Sequence, residues 1–216
     1  MVDLLYNIIT ISCGNLNCYL IEGDDFAILI DTATKKYRNY LLEKLKNYNI
    51  KLIILTHGHM DYTGNVAFLA KEFNAKIAMH IDDYKLSKNN LVNTIYSNSL
   101  LGTFFKKISL YQFKRRSTDD FEPNLFLEDG ESLKNFGVDA KIVHLPGHTK
   151  GSIGILINED ELIAGDMFMN LIYPSEALIA EDIDMLRKSI HKVDLLNLKL
   201  VYPGRGGAIT SVKVNI

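Results

Sequence analysis

The stretch LTHGHMDYTGN, Leu55 to Asn65, places two histidines and an aspartate within five residues at the end of an apolar run. His57 and His59 are two positions apart, so on an extended or tightly turned segment both imidazoles point to one side and can reach one cation. Asp61 continues that alternation. Tyr62 does not fit a metal set, because an unperturbed phenol ionises only near pH ~10. Gly64 and Asn65 read as turn and helix-start residues.

Working outward, LIILT before the histidines is a short continuous apolar strand of the kind buried on both faces. VAFLAKEF after them predicts a helix, and AKIAM the next strand. Upstream, Asn17 to Ile21 and Phe26 to Asp31 are two apolar runs separated by EGDD, a hairpin signal. KKYRNYLLEKLKNYNI then sets Tyr37, Leu41, Leu45 and Tyr48 on one face of a helix. Downstream of Asp129, VDAKIVH, GSIGILIN and ELIAGD read as strands. DIDMLRKSIHKV, apolar at Ile183, Leu186, Ile190 and Val193, reads as a helix before a last strand, LKLVYP. Strands and hairpins occur in both halves, each followed by helices, which predicts an α/β domain of two packed mixed sheets with helices outside. Between about 80 and 129 the alternation fails. Leu100, Leu101, Phe104, Phe105, Ile108, Tyr111 and Phe113 recur at mixed helical spacings there, which predicts a helical insertion within one domain spanning 1–216. The same apolar surface would serve as a lid or as a homodimer contact, and Lys106, Lys107, Lys114, Arg115 and Arg116 read first as a solvated basic face.

Composition narrows the class. With 24 Lys and Arg against 26 Asp and Glu the chain is too balanced for a nucleic-acid footprint or an electrostatic membrane anchor. No run reaches the roughly 18 apolar residues needed to span a bilayer, and Asp3 stands where a secretory leader needs positive charge, so a cytoplasmic protein is expected. The two cysteines, Cys13 and Cys18, make no disulfide framework and read as buried thiols in a strand.

Three further features complete the constellation. HLPGHTKGS presents His148 in a turn after an apolar strand, AGDMF presents Asp166 at what reads as a strand end, and YPGRGG presents Arg205. Loops that follow strands are where sheet proteins keep reactive groups. His144 reads as structural, His191 as a surface residue of its helix, and His80 as a weaker candidate for a pocket wall.

In order, spacing and flanking strands the chain resembles the metallo-β-lactamase superfamily, specifically its small glyoxalase-II-like hydrolases, from CYLIEGDDFAILIDT to YPGRGG. The resemblance implies a four-layer αββα sandwich with one or two metals at the edge of the sheets. It implies His57, His59 and His148 as ligands of a first metal, Asp61 as a ligand of a second, Asp166 as the bridging carboxylate, and Asp31 as a supporting carboxylate. The chain departs from the pattern twice: Tyr62 and Arg205 stand where the family carries the two histidines of the second site. An arginine cannot deprotonate or ligate, so Arg205 is expected to repel a second cation and to pair with Asp61, with Asp166 or with an anionic substrate.

The expected activity is hydrolysis of an ester, thioester, lactone or similar bond in a small molecule. One zinc would activate a water that Asp61 or Asp166 orients, with Tyr62 hydrogen bonding or packing beside it. An alternative is a non-haem iron dioxygenase on His57, His148 and Asp166, since two histidines and a carboxylate suit iron(II). A third reading is a non-catalytic binding member of the family.

Overall fold

The computed structural model describes residues 7–23, 25–89, 96–97 and 119–210. Much of the stretch read as a helical insertion, residues 90–95 and 98–118, therefore lies outside the described residues, together with the apolar and basic positions noted there.

The first sheet is built from β1 (Ile8–Cys13), β2 (Leu16–Glu22), β3 (Ala27–Ile30), β4 (Ile50–Ile54), β5 (Lys76–Met79) and β7 (Leu125–Phe126), and its strands lie side by side in that order. β1, β2 and β3 are hairpin-connected and antiparallel, whereas β3, β4 and β5 run parallel. Parallel neighbours need a crossover. α1 (Arg38–Leu45) carries the chain from β3 to β4, and α2 (Met60–Thr63) with α3 (Val66–Phe73) carries it from β4 to β5. The helix read over 35–50 is shorter than its pattern, because a 3-10 turn, Lys35–Tyr37, precedes it. Leu41 and Leu45 still face inward.

The second sheet is built from β8 (Ala140–His144), β9 (Ile153–Ile157), β10 (Glu161–Asn170) and β11 (Ser175–Glu176), adjacent in that order, and β13 (Leu200–Gly206) pairs with β10 in parallel. A short pair, β6 (Tyr96–Ser97) with β12 (Ile179–Ala180), stands apart. α4 (Ile81–Asn89) follows β5, and α5 (Ile183–Asp194) precedes β13. The Asp182 carboxylate caps α5 by accepting from the Met185 amide at 2.8 Å.

Strand alternation sorts the side chains into three apolar layers. Cys18, Leu20, Leu29 and Ile53 pack against Leu41, Leu45, Val66 and Leu69 of α1 and α3. Tyr19, Ile21, Ile28, Ile30 and Ile54 meet Ile142, Ile153, Ile155, Ile157 and Ile163 between the sheets. Leu156, Leu162 and Val201 pack against Leu186, Ile190 and Val193 of α5. Strands buried on both faces explain why LIILT and GSIGILIN read as unbroken apolar runs. The result is the four-layer αββα arrangement. Among the described residues no helix is long and apolar enough to cross a membrane.

β10 corrects one expectation. Asp166 does not end its strand: β10 continues four residues further, to Asn170, and its register with β13 shifts between Gly165 and Met169. That irregularity re-aims the side chains of the stretch, as strand bulges do. Asp166 thereby comes beside Arg205 of β13.

Candidate metal centre

The loops after β3 and β4 and the β8–β9 loop meet at one edge of the sandwich, the side where open α/β sheets keep their sites. Asp31 follows β3 in a left-handed conformation, φ 62°, which turns its carboxylate under the next strand. Its Oδ1 accepts from the Thr56 amide at 2.9 Å and its Oδ2 from the Thr56 hydroxyl at 2.8 Å. Where Asp31 is ionised, Thr56 gives its proton to that carboxylate and Oγ1 is left to accept from His57 Nδ1, 3.0 Å away. In that ionised state the chain of bonds sets the tautomer of His57 and leaves Nε2 as a lone pair. That Nε2 is buried without a hydrogen-bond partner.

His148 is set in the same way. Its Nδ1 lies 3.0 Å from the Ile179 carbonyl oxygen, which can only accept, so Nε2 is again the lone-pair atom. It stands 3.1 Å from His59 Nδ1. One ring nitrogen from each of His57, His59 and His148 lies within 4.8 Å of the others. Two nitrogens on one tetrahedral ion would stand about 3.3 Å apart for bonds of about 2.0–2.1 Å. Two buried imidazoles, His57 and His148, and the half-buried His59 turn ring nitrogens towards one another at a spacing that suits a cation. A buried acceptor left unpaired is otherwise costly. Burial, reinforced by the neighbouring imidazoles, pushes His57 well below the usual histidine range, and burial followed by His148 pushes His59 down to about 4. Both are neutral and ready to ligate at physiological pH.

Beside this cluster Arg205 reaches across from β13. Its Nη2 donates to Asp61 Oδ2 at 2.7 Å and Asp166 Oδ2 at 3.0 Å, and its Nε to Asp166 Oδ1 and Oδ2 at 3.2 and 3.1 Å. The Tyr62 hydroxyl donates to Asp166 Oδ1 and lies 3.1 Å from the Gly204 carbonyl oxygen. Asp166 Oδ2 also stands 3.8 Å from His148 Nε2. Arg205 thus pairs with both carboxylates where one was expected. Burial is the largest single influence and works to raise the pKa of Asp61 and of Asp166. Arg205 together with the neighbouring imidazoles, and for Asp166 the Tyr62 hydroxyl, outweighs it and holds both carboxyls below the usual range. Tyr62 is wholly buried, its ring 4.4 Å from that of His57, and burial drives its phenol well above its usual value. It is a neutral hydrogen-bond donor.

All seven site residues read from the sequence come together: His57, His59, Asp61, Tyr62, His148, Asp166 and Arg205. His80 does not join them. Its ring stacks on His144, centroids 4.4 Å apart and 8° from parallel. Asp61, His148, Asp166 and Arg205 form the floor of a cleft of about 390 Å³ whose walls include Leu16, Met169, Leu178 and Ile179.

With this geometry the comparisons with known proteins agree. Residues 11–205 match the family described as the metallo-beta-lactamase superfamily. The chain belongs to that superfamily. A probable metallo-hydrolase of Methanocaldococcus jannaschii is 33% identical over 197 residues, covering 88% of this chain and 87% of that protein. The hydroxyacylglutathione hydrolase GloC of Haemophilus influenzae is 30% identical over 165 residues, covering 74% of this chain and 70% of the relative. A metallo-beta-lactamase family protein of Thermus thermophilus superimposes with a TM-score of 0.72 at 22% identity, over 96% of this chain and 75% of that one, and shares the fold.

Two residues of this superfamily site escaped the sequence reading. Thr56 links Asp31 to His57 and carries no signal beyond standing directly before the HGH motif. Asn17 Nδ2 donates to the carbonyl oxygens of Pro203 at 3.1 Å and Gly206 at 2.7 Å, holding β13 on either side of Arg205. A polar residue inside an apolar strand was the only trace of it.

Proposed function

We propose that the protein is a mononuclear metal-dependent hydrolase, using zinc to cleave an ester, thioester, lactone or similar bond in a small molecule. The observation that carries this reading is the buried, unpartnered His57 Nε2 facing His59 and His148 beside an acid pair already occupied by Arg205. Three imidazoles with an open fourth position suit zinc, which lowers the pKa of a water and polarises a carbonyl. A second cation would have to displace or share the place of a guanidinium bound to Asp61 and Asp166.

The chain's own groups divide the remaining work. Asp166 has both oxygens engaged by Arg205 and one also by Tyr62, so it anchors the arginine. Asp61 gives Oδ2 to Arg205 and keeps Oδ1 without a hydrogen bond among the described residues. Oδ1 is the atom to orient the attacking water and pass its proton to the leaving group. Arg205 retains Nη1, which has no partner among the described residues and can donate to a substrate oxygen; an anionic substrate fits it best. The iron alternative would need Asp166 as a ligand, and the hold of Arg205 and Tyr62 on that carboxylate favours zinc.

The test is a panel of small esters, thioesters and lactones offered to the zinc-loaded protein. Turnover of at least one class is expected, abolished by His148→Ala, with kcat about 10²- to 10⁴-fold lower in Asp61→Asn. No turnover of any class by protein that holds zinc, or an Asp61→Asn variant at full rate, would contradict the assignment.

A further inference from the structure

Asp83 is an acid in the first turn of α4, a place where carboxylates ordinarily face solvent. Here the residue is only 1% exposed, and its carboxylate is turned towards two other loops. Oδ2 accepts from the Gly58 amide at 2.7 Å and the Thr149 hydroxyl at 2.7 Å, and Oδ1 accepts from the Gly151 amide at 2.6 Å. Gly58 lies between His57 and His59, and Thr149 directly follows His148. One carboxylate therefore ties the loop of the first two imidazoles to the loop of the third, without a hydrogen bond to any histidine. Thr149 is fixed in turn by Ser152, whose hydroxyl is 2.6 Å from Thr149 Oγ1 and accepts from the Thr149 amide at 3.1 Å.

The approach is close enough to dictate sequence. A Cβ on Gly58 would stand 2.4 Å from the Asp83 carbonyl oxygen, and one on Gly151 would stand 2.6 Å from Asp83 Oδ1. Both loops are glycine where they touch Asp83 because no side chain fits. Burial of a carboxylate is costly unless it is hydrogen-bonded throughout, and these three donors supply that compensation. The arrangement gains nothing for α4 itself, since none of the three donors belongs to that helix.

We propose that Asp83 is a positioning residue that holds the His57–His59 loop against the His148 loop and thereby sets the affinity of the site for its metal. The inference rests on the metal-centre reading above. Removing a group that orients ligands typically weakens metal binding by ~10- to 100-fold.

The test compares wild type, Asp83→Asn and Thr149→Val. Zinc affinity is read by competition with a chromogenic chelator, cobalt(II) geometry by visible absorption, and melting temperature with and without metal. Asp83→Asn is expected to weaken zinc by about 10- to 100-fold and to shift the cobalt bands. Thr149→Val removes one of the three bonds and is expected to do the same to a smaller extent. In both variants the rise in melting temperature on adding metal should shrink. A purely structural role would lower melting of the metal-free protein while leaving zinc affinity and the cobalt spectrum at wild-type values, and that result would overturn the proposal. If Asp83→Asn fails to fold, Thr149→Val decides by the same readouts. Wild type binding zinc no more tightly than the variants sinks this inference alone, whereas wild type taking up neither zinc nor cobalt sinks the metal centre with it.

Discussion

At the scale of single residues, Asp31 shows how a buried carboxylate can serve a site it never touches directly. Its two bonds to Thr56 orient His57, yet burial, opposed by those bonds, pushes its pKa up to about 8 in the metal-free protein. The folded state then holds a proton that the unfolded chain, with an ordinary value near 3.8, has already lost. Folding stability contributed by this group falls as pH rises from about 4 to about 8. His57 and His59 act oppositely, since their lowered values make the unfolded state the better proton binder, but only below about pH 6.5. Between about pH 6.5 and 8 the Asp31 slope stands clear of theirs. Chelator-treated protein should lose stability across that window by up to ~1.4 kcal/mol per pH unit, and Asp31→Asn should flatten the slope. Urea midpoints at the two pH values measure it; equal slopes in wild type and variant would show that Asp31 does not carry the proton.

Among the elements, β13 matters most to the chemistry, because it delivers Arg205 to acids from two other segments. Its pairing with β10 is irregular there, and the Asn17 amide of β2 and the Tyr19 hydroxyl, 2.5 Å from the Pro203 carbonyl oxygen, supply the missing support. Asn17→Ala would take the side-chain donor from the Gly206 carbonyl and leave the Pro203 carbonyl to Tyr19 alone, a cost of about 1–3 kcal/mol. Thermal melts should show that loss. The substrate KM should rise as Arg205 loses its fixed place, while one zinc is still bound through histidines on other segments. A variant that melts lower with unchanged KM would confine Asn17 to a structural role. The same elements show what a sequence can and cannot disclose. His57, His59 and Asp61 were legible because their spacing is local, and Arg205 because it breaks a motif. The mid-strand position of Asp166 was not, since a register shift against a strand about 40 residues away leaves no local pattern. Asp83 was also hidden: IDDY reads as an acidic helix start, and only tertiary packing turns the second acid inward.

For the whole molecule, the two sheets contribute unequal halves of one site. The first supplies His57, His59, Asp61 and Tyr62 after β4, and the second supplies His148, Asp166 and Arg205. The apolar runs that pack these sheets face to face were readable as strands, and their alternation as two layers with helices outside, which is why the architecture followed from the sequence more completely than the contacts did. What distinguishes the chain from the two-metal arrangement its resemblance implies is one guanidinium set between two carboxylates. The direct measurement is metal content per chain by elemental analysis, on protein purified without added metal or chelator and then equilibrated with excess zinc and desalted. About one zinc per chain is expected, lost in His148→Ala; two tightly held metals per chain would contradict the one-metal site, because a second cation would have to compete with Arg205 for Asp61 and Asp166.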